Sequence, residues 1–373
     1  MNKQLEILSM DEVFAEYFKN VQQVFLYIND ECNIYCKHCI YKPNITFNLV
    51  RTEIPLEEVY VLLNTFYSLG ASKLSILGGE PTLYGAKNYG VSMLPDVIEY
   101  AKKLGYSYVR IDTNGQFDKS LLQNNKFRML DEISYSLDGY NEKTNDDVRG
   151  NGVFKKAISS INEAVKLGYN VNVTTCLYQE LMEKNENGDY CFEQLIYLLS
   201  SLGVCRVNFH ALIKDGTPID TWSENLYVDP YLWLSIYEKI SQNINNNKYS
   251  IPVRIPKSFI TTEEFEKNKQ YYGYCPVKLG ERILIHPNGQ LRICSALLCT
   301  PYCIAFYNNK HITWNSNMTN ESASHKIDQD TVCTNRGKKD YNGLLPLCFS
   351  FKPNQNEYIW ESKLMWENRK YVD

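Results

Sequence analysis

The segment Cys32-Asn-Ile-Tyr-Cys36-Lys-His-Cys39 spaces three thiols as C-x3-C-x2-C. Three thiolates on one short loop can hold three irons of a cubane and leave the fourth iron open to another molecule. A zinc site would need a fourth ligand, for which His38 is the one local candidate, and unrelated core cysteines are the plainer alternative. Further along, Gly78-Gly79-Glu80-Pro81 joins two glycines to a carboxylate. Paired glycines admit a close-lying ligand that a Cβ would exclude, and the carboxylate can accept from an ammonium; the same four residues could also be a plain turn. Arg149 can offer a bidentate fork to a carboxylate, or be a surface arginine in its Asp-Asp-Val-Arg-Gly turn.

Something must hold these groups at one place. Short apolar, β-branched runs at 24–28, 73–77, 108–112, 132–137, 170–175 and 206–212 alternate with amphipathic stretches at 55–69, 94–104, 154–167 and 192–202. Several of the latter close on Gly70, Gly105, Gly168 or Gly203, as helix C-caps do. The alternation predicts βαβ units around a parallel sheet, an α/β fold of the partial (β/α)6 TIM-type barrel kind. In such barrels chemistry gathers at the carboxyl ends of the strands. Cys32 follows the first run, Gly78–Pro81 the second, and Thr113-Asn114-Gly115 the third, while Ser136-Leu137-Asp138-Gly139 ends the fourth.

Composition narrows the class. The formal charge of −4, with no Lys/Arg block, argues against a nucleic-acid binder. No stretch reaches the roughly 18 to 20 apolar residues that cross a bilayer, so no membrane association is expected. The N-terminus has no signal-peptide pattern, which predicts a cytoplasmic protein. Twelve cysteines in such a chain point to metal or catalytic use rather than disulfides. Three cluster at 32–39; six, Cys275, Cys294, Cys299, Cys303, Cys333 and Cys348, fill the last hundred residues. Three parts are expected: an N-terminal helix or extension over 1–22, the barrel over 23–215, and a cysteine-rich α+β extension over 216–373. That extension should hold a helix at 230–244, a hairpin at 281–286 and 290–294 about Pro287-Asn288-Gly289, a long polar loop over 308–343 and a last helix from about 357.

With its motifs in this order over roughly residues 20 to 215, the sequence resembles the radical S-adenosylmethionine (SAM) superfamily. The resemblance implies that Cys32, Cys36 and Cys39 hold a 4Fe-4S cluster whose open iron is chelated by the amino and carboxylate groups of SAM. Gly78, Gly79, Glu80 and Pro81 match the motif that receives the methionine amino group, and His38, where an aromatic residue is usual, would lie near the adenine. Ser136 and Arg149 resemble the pair that binds the SAM carboxylate or ribose. Asn114 and Thr175 would line the ribose pocket, and Asp138 would cap or face the substrate. A low-potential donor of the flavodoxin or ferredoxin type would supply the electron that yields a 5′-deoxyadenosyl radical.

The tail resembles the opening of the SPASM and twitch domains, which carry auxiliary 4Fe-4S clusters: Cys275, thirteen residues, then Gly289-Gln-Leu-Arg-Ile-Cys294. It departs from the full pattern in having Cys299-Thr-Pro-Tyr-Cys303 and no C-x2-C. Six cysteines cannot fully ligate two cubanes, which need eight. One auxiliary cluster on Cys275, Cys294 and Cys348 is therefore expected, its fourth ligand among Cys299, Cys303 and Cys333, with zinc or buried free thiols the alternative. The first substrate reading is a ribosomally synthesised peptide or protein, oxidised or cross-linked, although about twenty residues before the first strand leave no room for a leader-binding domain. A second is a small-molecule substrate, a polar metabolite met by a dehydrogenase or epimerase. A third, a non-catalytic iron-sulfur or zinc scaffold, sits poorly with the intact motifs.

Overall fold

A computed structural model of the chain describes residues 6–39, 53–212, 226, 228–267, 280–294, 303–308, 310–315 and 344–346. After a short strand β1 (Ser9–Met10) and helix α1 (Glu12–Tyr17), strands β2 (Gln23–Tyr27), β3 (Lys73–Leu77), β4 (Tyr108–Thr113), β5 (Glu132–Ser136), β6 (Val171–Leu177) and β7 (Arg206–Ala211) lie side by side in sequence order, all parallel. A seventh parallel strand, β8 (Val253–Arg254), pairs with β7. Helices α2 (Leu56–Ser68), α3 (Leu94–Leu104), α4 (Glu142–Arg149), α5 (Val153–Lys166) and α6 (Cys191–Ser201) fall between the strands. Their buried residues recur at helical spacing, as Ala157, Ile161 and Ala164 do on α5, so each helix covers the sheet with one apolar stripe. Helix α7 (Pro230–Asn245) is capped by Asp229, whose side chain accepts from Tyr231 N and Leu232 N.

The sheet does not stop at β2. Strand β9 (Phe259–Thr261) pairs with β14 (Leu344–Pro346) in a separate ribbon, but β10 (Arg282–Ile285) runs parallel to β2, in the register Ile283 to Val24 and Leu284 to Phe25. Strands β11 (Gln290–Arg292), β12 (Ala305–Asn308) and β13 (His311–Trp314) continue antiparallel from it, and β1 closes the edge. Among the described residues this is one twelve-stranded sheet. The β10–β11 turn uses Gly289 at φ +83°, the backbone that Asn-Gly turns require. Strand β13 lies inside the stretch read as a long loop from 308; buried Ile312 and Trp314 alternate with Thr313 there, a two-residue period too short to stand out. The last helix expected from about 357 lies outside the described residues. No helix among them is long and apolar enough to cross a membrane.

The two faces of the barrel sheet differ chemically. Val24, Leu74, Val109, Ile111, Ile133, Val173, Val207 and Phe209 pack into the apolar core. The alternate residues form a polar chain: Gln23 Nε2 donates to Ser75 Oγ (3.1 Å), as does Arg110 Nε (3.0 Å), and Arg206 Nη2 donates to Glu132 Oε2 (3.1 Å). Arg206 Nε also donates to Asn208 Oδ1 (3.0 Å). Parity in the parallel register thus decides which side chains reach the inner face.

Because Ile283 is fully buried beside β2, Ile283→Ala is expected to lower stability by about 2–5 kcal/mol. Urea unfolding checks this, and an unchanged midpoint would show that β10 does not pack against the barrel as described.

Candidate active site

The cysteine loop leaves the carboxyl end of β2. Cys32, Cys36 and Cys39 are in no disulfide, each is partly exposed, and Cys39 N donates to Cys36 O (3.3 Å). Lys37 N donates to Val148 O (2.9 Å), which ties the loop to α4. Two side chains point N–H groups at sulfur: Asn114 Nδ2 lies 3.6 Å from Cys32 Sγ, and Arg149 Nη1 lies 3.8 Å from Cys36 Sγ. Cys39 packs instead against the apolar group of Tyr27, Leu284, Phe25 and Leu77. Burial pushes the Cys32 thiol up to about 11, a rise that the Ile34 N–H and Asn114 oppose and that Glu80 and Cys36 reinforce. Such a thiol becomes a thiolate only with a cation to bind.

The Gly78–Pro81 loop has another close neighbour than the ligand expected from its composition. Gly79 N donates to Asn29 O (2.9 Å) and Glu80 N to Glu31 O (2.7 Å). A Cβ on Gly79 would stand 2.2 Å from Glu31 O, and one on Gly78 would stand 2.2 Å from Asn29 Oδ1. The glycines therefore let this loop lie against the root of the cysteine loop. The Glu80 carboxylate, expected to meet an ammonium, has no exposure and accepts protein donors on both oxygens. Oε1 takes Thr82 N, Thr82 Oγ1 and Thr113 Oγ1; Oε2 takes Asn114 N (2.8 Å). Burial raises its pKa and these bonds oppose the rise. Pro81 opens the turn that Glu80 caps.

Arg149 and Asp138, expected at SAM and at the substrate, meet each other. Arg149 Nε lies 2.6 Å from Asp138 Oδ2, His38 Nε2 lies 3.1 Å from the same oxygen, and Cys176 N donates to Oδ1 (2.7 Å). His38, Asp138 and Arg149 are all buried. Burial pushes the Asp138 carboxyl up, but the charges of Arg149 and His38 outweigh it and hold the group below the usual carboxylate range. Ligand atoms of His38, Asp138 and Cys176 lie within 4.8 Å of one another, with Arg149 already supplying the cation. Helix α4 is set for this contact by its capping box, Asn141 with Thr144.

Ser136 ends β5 on the inner face, half-buried and with no side-chain hydrogen bond among the described residues, so its hydroxyl is open to a ligand. Thr175 is not: fully buried, it donates to Leu137 O (2.6 Å) and faces the helix layer beside Phe209. Its neighbours Thr174 and Cys176 hold the inner positions, and Cys176 pairs with His210. Counting alternation from the strand start would have found them. Tyr27 was also missed. It stacks on His286 with ring centroids 4.5 Å apart, and it lies within electrostatic reach of both Cys39 and Cys294. Of the tail cysteines, Cys294 is partly exposed, while Cys303 is buried with its thiol against Leu291 O (3.3 Å) and Ala305 O (2.9 Å). Cys275, Cys299, Cys333 and Cys348 lie outside the described residues.

Residues 26–186 match the model of the radical SAM superfamily. That stretch of the chain is a radical SAM domain. GTP 3′,8-cyclase of Lactiplantibacillus plantarum is 25% identical over 222 residues, 58% of this chain and 61% of that one. The enzyme of the same name from Limosilactobacillus fermentum is 26% identical over 302 residues, 73% and 89% of the two chains. That of Psychromonas ingrahamii is 30% identical over 164 residues, but this chain spans only 46% of its length. Among solved structures, Streptococcus suis SuiB bound to the precursor peptide SuiA superposes with a TM-score of 0.58 at 17% identity, over 78% of this chain and 63% of that one. His-tagged anSMEcpe with bound AdoMet gives 0.58 at 13%, over 94% and 93%. At these identities they share the fold, an α/β partial TIM-type barrel. Radical SAM enzymes use a 4Fe-4S cluster and SAM, and three thiols on one loop with N–H donors on two sulfurs fit such a cluster.

Two outcomes follow for this site. Gly79→Val is expected to reduce cluster content as well as SAM binding, because the new side chain collides with Glu31; full iron content in the variant would show that the contact yields. Asp138→Asn strands the Arg149 charge and is expected to destabilise the fold by about 3–5 kcal/mol near neutral pH. Since Asp138 ionises below its usual range, the wild-type pair contributes fully above about pH 4 and is lost as the pH falls through the lowered folded value. The gap between the two proteins in urea unfolding should therefore narrow in acid.

Proposed function

We propose that this radical SAM enzyme oxidises or cross-links a residue of a ribosomally synthesised peptide or protein, with Cys32, Cys36 and Cys39 holding the SAM-binding cluster. When bound there, such a cluster would supply the one electron that cleaves SAM to methionine and a 5′-deoxyadenosyl radical able to take hydrogen from an unactivated C–H bond. The protein's part is to bind, orient and keep out water. The Ser136 hydroxyl is open to SAM, and Thr174, Cys176 and His210 face the interior where a substrate would lie. Tyr27, Leu284 and Leu77 seal the Cys39 flank with apolar surface. The donor would be a flavodoxin or ferredoxin in the cytoplasm.

One observation carries the oxidative reading. The pairing of β10 with β2 brings Cys294 within electrostatic reach of the buried Tyr27 that Cys39 touches, so Cys294, as one ligand of an auxiliary cluster expected on Cys275, Cys294 and Cys348 in a twitch-like region over 216–373, would lie on the active-site side. A cluster there could take the second electron from the substrate radical. The peptide-bound fold neighbour supports a peptide as the donor of that electron. A second reading, a small polar metabolite, is favoured by the polar chain of Arg110, Glu132, Arg206 and Asn208 on the inner face and by the GTP-cyclising relatives.

Anaerobic incubation with SAM, reductant and either a short peptide encoded beside this gene or GTP distinguishes the two. Modified peptide is expected; GTP turnover with an unmodified peptide overturns the first reading. Replacing Cys32, Cys36 and Cys39 together by Ala should abolish 5′-deoxyadenosine formation. The same change should lower iron from about eight to about four per chain, four for each cubane. A triple variant without iron after anaerobic reconstitution would remove the auxiliary cluster.

A further inference from the structure

We propose that Asn114 and Arg149 are positioning residues for the cluster: each holds an N–H group on one cysteine sulfur, each is itself anchored on a buried carboxylate, and together they raise the reduction potential of the cluster. The inference rests on Cys32, Cys36 and Cys39 being its ligands. It gives Arg149 a different role from a SAM-binding fork.

The Asn114 amide cannot turn round. Its Oδ1 accepts from Gln116 N (2.8 Å) and its backbone N–H donates to Glu80 Oε2 (2.8 Å), which leaves Nδ2 to point at Asn33 Oδ1 (2.9 Å) and Cys32 Sγ (3.6 Å). Arg149 is held as firmly, with Nε on Asp138 Oδ2 at 2.6 Å and Nη1 left toward Cys36 Sγ at 3.8 Å. The anchoring carboxylates, Glu80 and Asp138, have no exposure, and Asn114 and Arg149 are nearly as buried, so both donors are largely shielded from water. The two arrangements are built alike on different strand ends. Glu80 after β3 fixes Asn114 after β4, and Asp138 after β5 fixes Arg149 at the end of α4.

An N–H dipole or a guanidinium beside a thiolate stabilises the more negative, reduced cluster over the oxidised one. In a buried setting this preference is weakly screened. Both residues therefore ease the first reduction, and both fix the angle at which the loop presents its sulfurs.

The test is an EPR-monitored potentiometric titration of the reconstituted enzyme, following the signal that disappears in the Cys32, Cys36 and Cys39 to Ala variant. Asn114→Leu removes one donor without stranding a charge. It is expected to shift the reduction equilibrium about tenfold toward the oxidised form, about 59 mV more negative for one electron. Arg149→Gln combined with Asp138→Asn, which leaves neither partner as a lone buried charge, should shift it the same way, and Arg149→Lys by less. SAM affinity is measured alongside. Wild-type potentials in both Asn114→Leu and the Arg149 pair overturn the proposal, and a tenfold loss of SAM affinity with those unchanged potentials returns both residues to the SAM pocket. A wild-type protein with no signal that depends on the three cysteines overturns the ligand assignment itself, and this inference with it.

Discussion

Two carboxylates without solvent, Glu80 and Asp138, organise the strand ends of this protein. A buried anion is tolerated only where donors or a cation surround it, so each must collect partners from several loops. Glu80 gathers Thr82, Thr113 and Asn114, which welds the β3 and β4 ends together. Asp138 gathers Arg149, His38 and Cys176 N, which joins the end of α4, the cysteine loop and β6. The cysteine loop has little apolar surface of its own to fold on. It is shaped by these charges and by its backbone bonds to Gly79, Glu80 and Val148.

The same physics explains why the neighbouring residues are small or polar. Gly78 and Gly79 are needed because two loops share one plane of backbone hydrogen bonds with no room for a Cβ between them. His38, where an aromatic residue is usual in the family, has a plain reason here: a ring nitrogen reaches Asp138, which a phenyl ring could not do. Charges on the polar inner face of the sheet meet across strands: Arg110 lies 3.7 Å from Glu132 on the adjacent strand, and Arg206 reaches the same carboxylate from two strands away.

The C-terminal region enters the site through the backbone. Because β10 extends the barrel sheet at β2, Leu284 and His286 lie over Tyr27 and the cysteine loop, and Cys294 follows one strand later. Burial, with Arg292 nearby, pulls the His286 pKa down to about 3, so its ring meets Tyr27 as a neutral stacking partner. A region that the sequence places some 250 residues beyond the first cysteine loop thus forms one of its walls.

The strand and helix order, the cysteine loop and the motif at each strand end were legible in the sequence, because periodicity and local spacing are properties of neighbours along the chain. So was the tight turn at Gly289. What the sequence did not reveal was partnership. Arg149 and Glu80 carry charges that would suit a ligand, and only the fold shows that each is committed to other buried residues, because such contacts join separate loops and helix ends whose approach no local pattern records. Thr175 was misplaced for a related reason: it alternates with Thr174 and Cys176 along β6, and the register with β5 and β7 shows that the latter two look inward. The pairing of β10 with β2 is likewise absent from any local pattern, since parallel neighbours are chosen by the burial of whole faces.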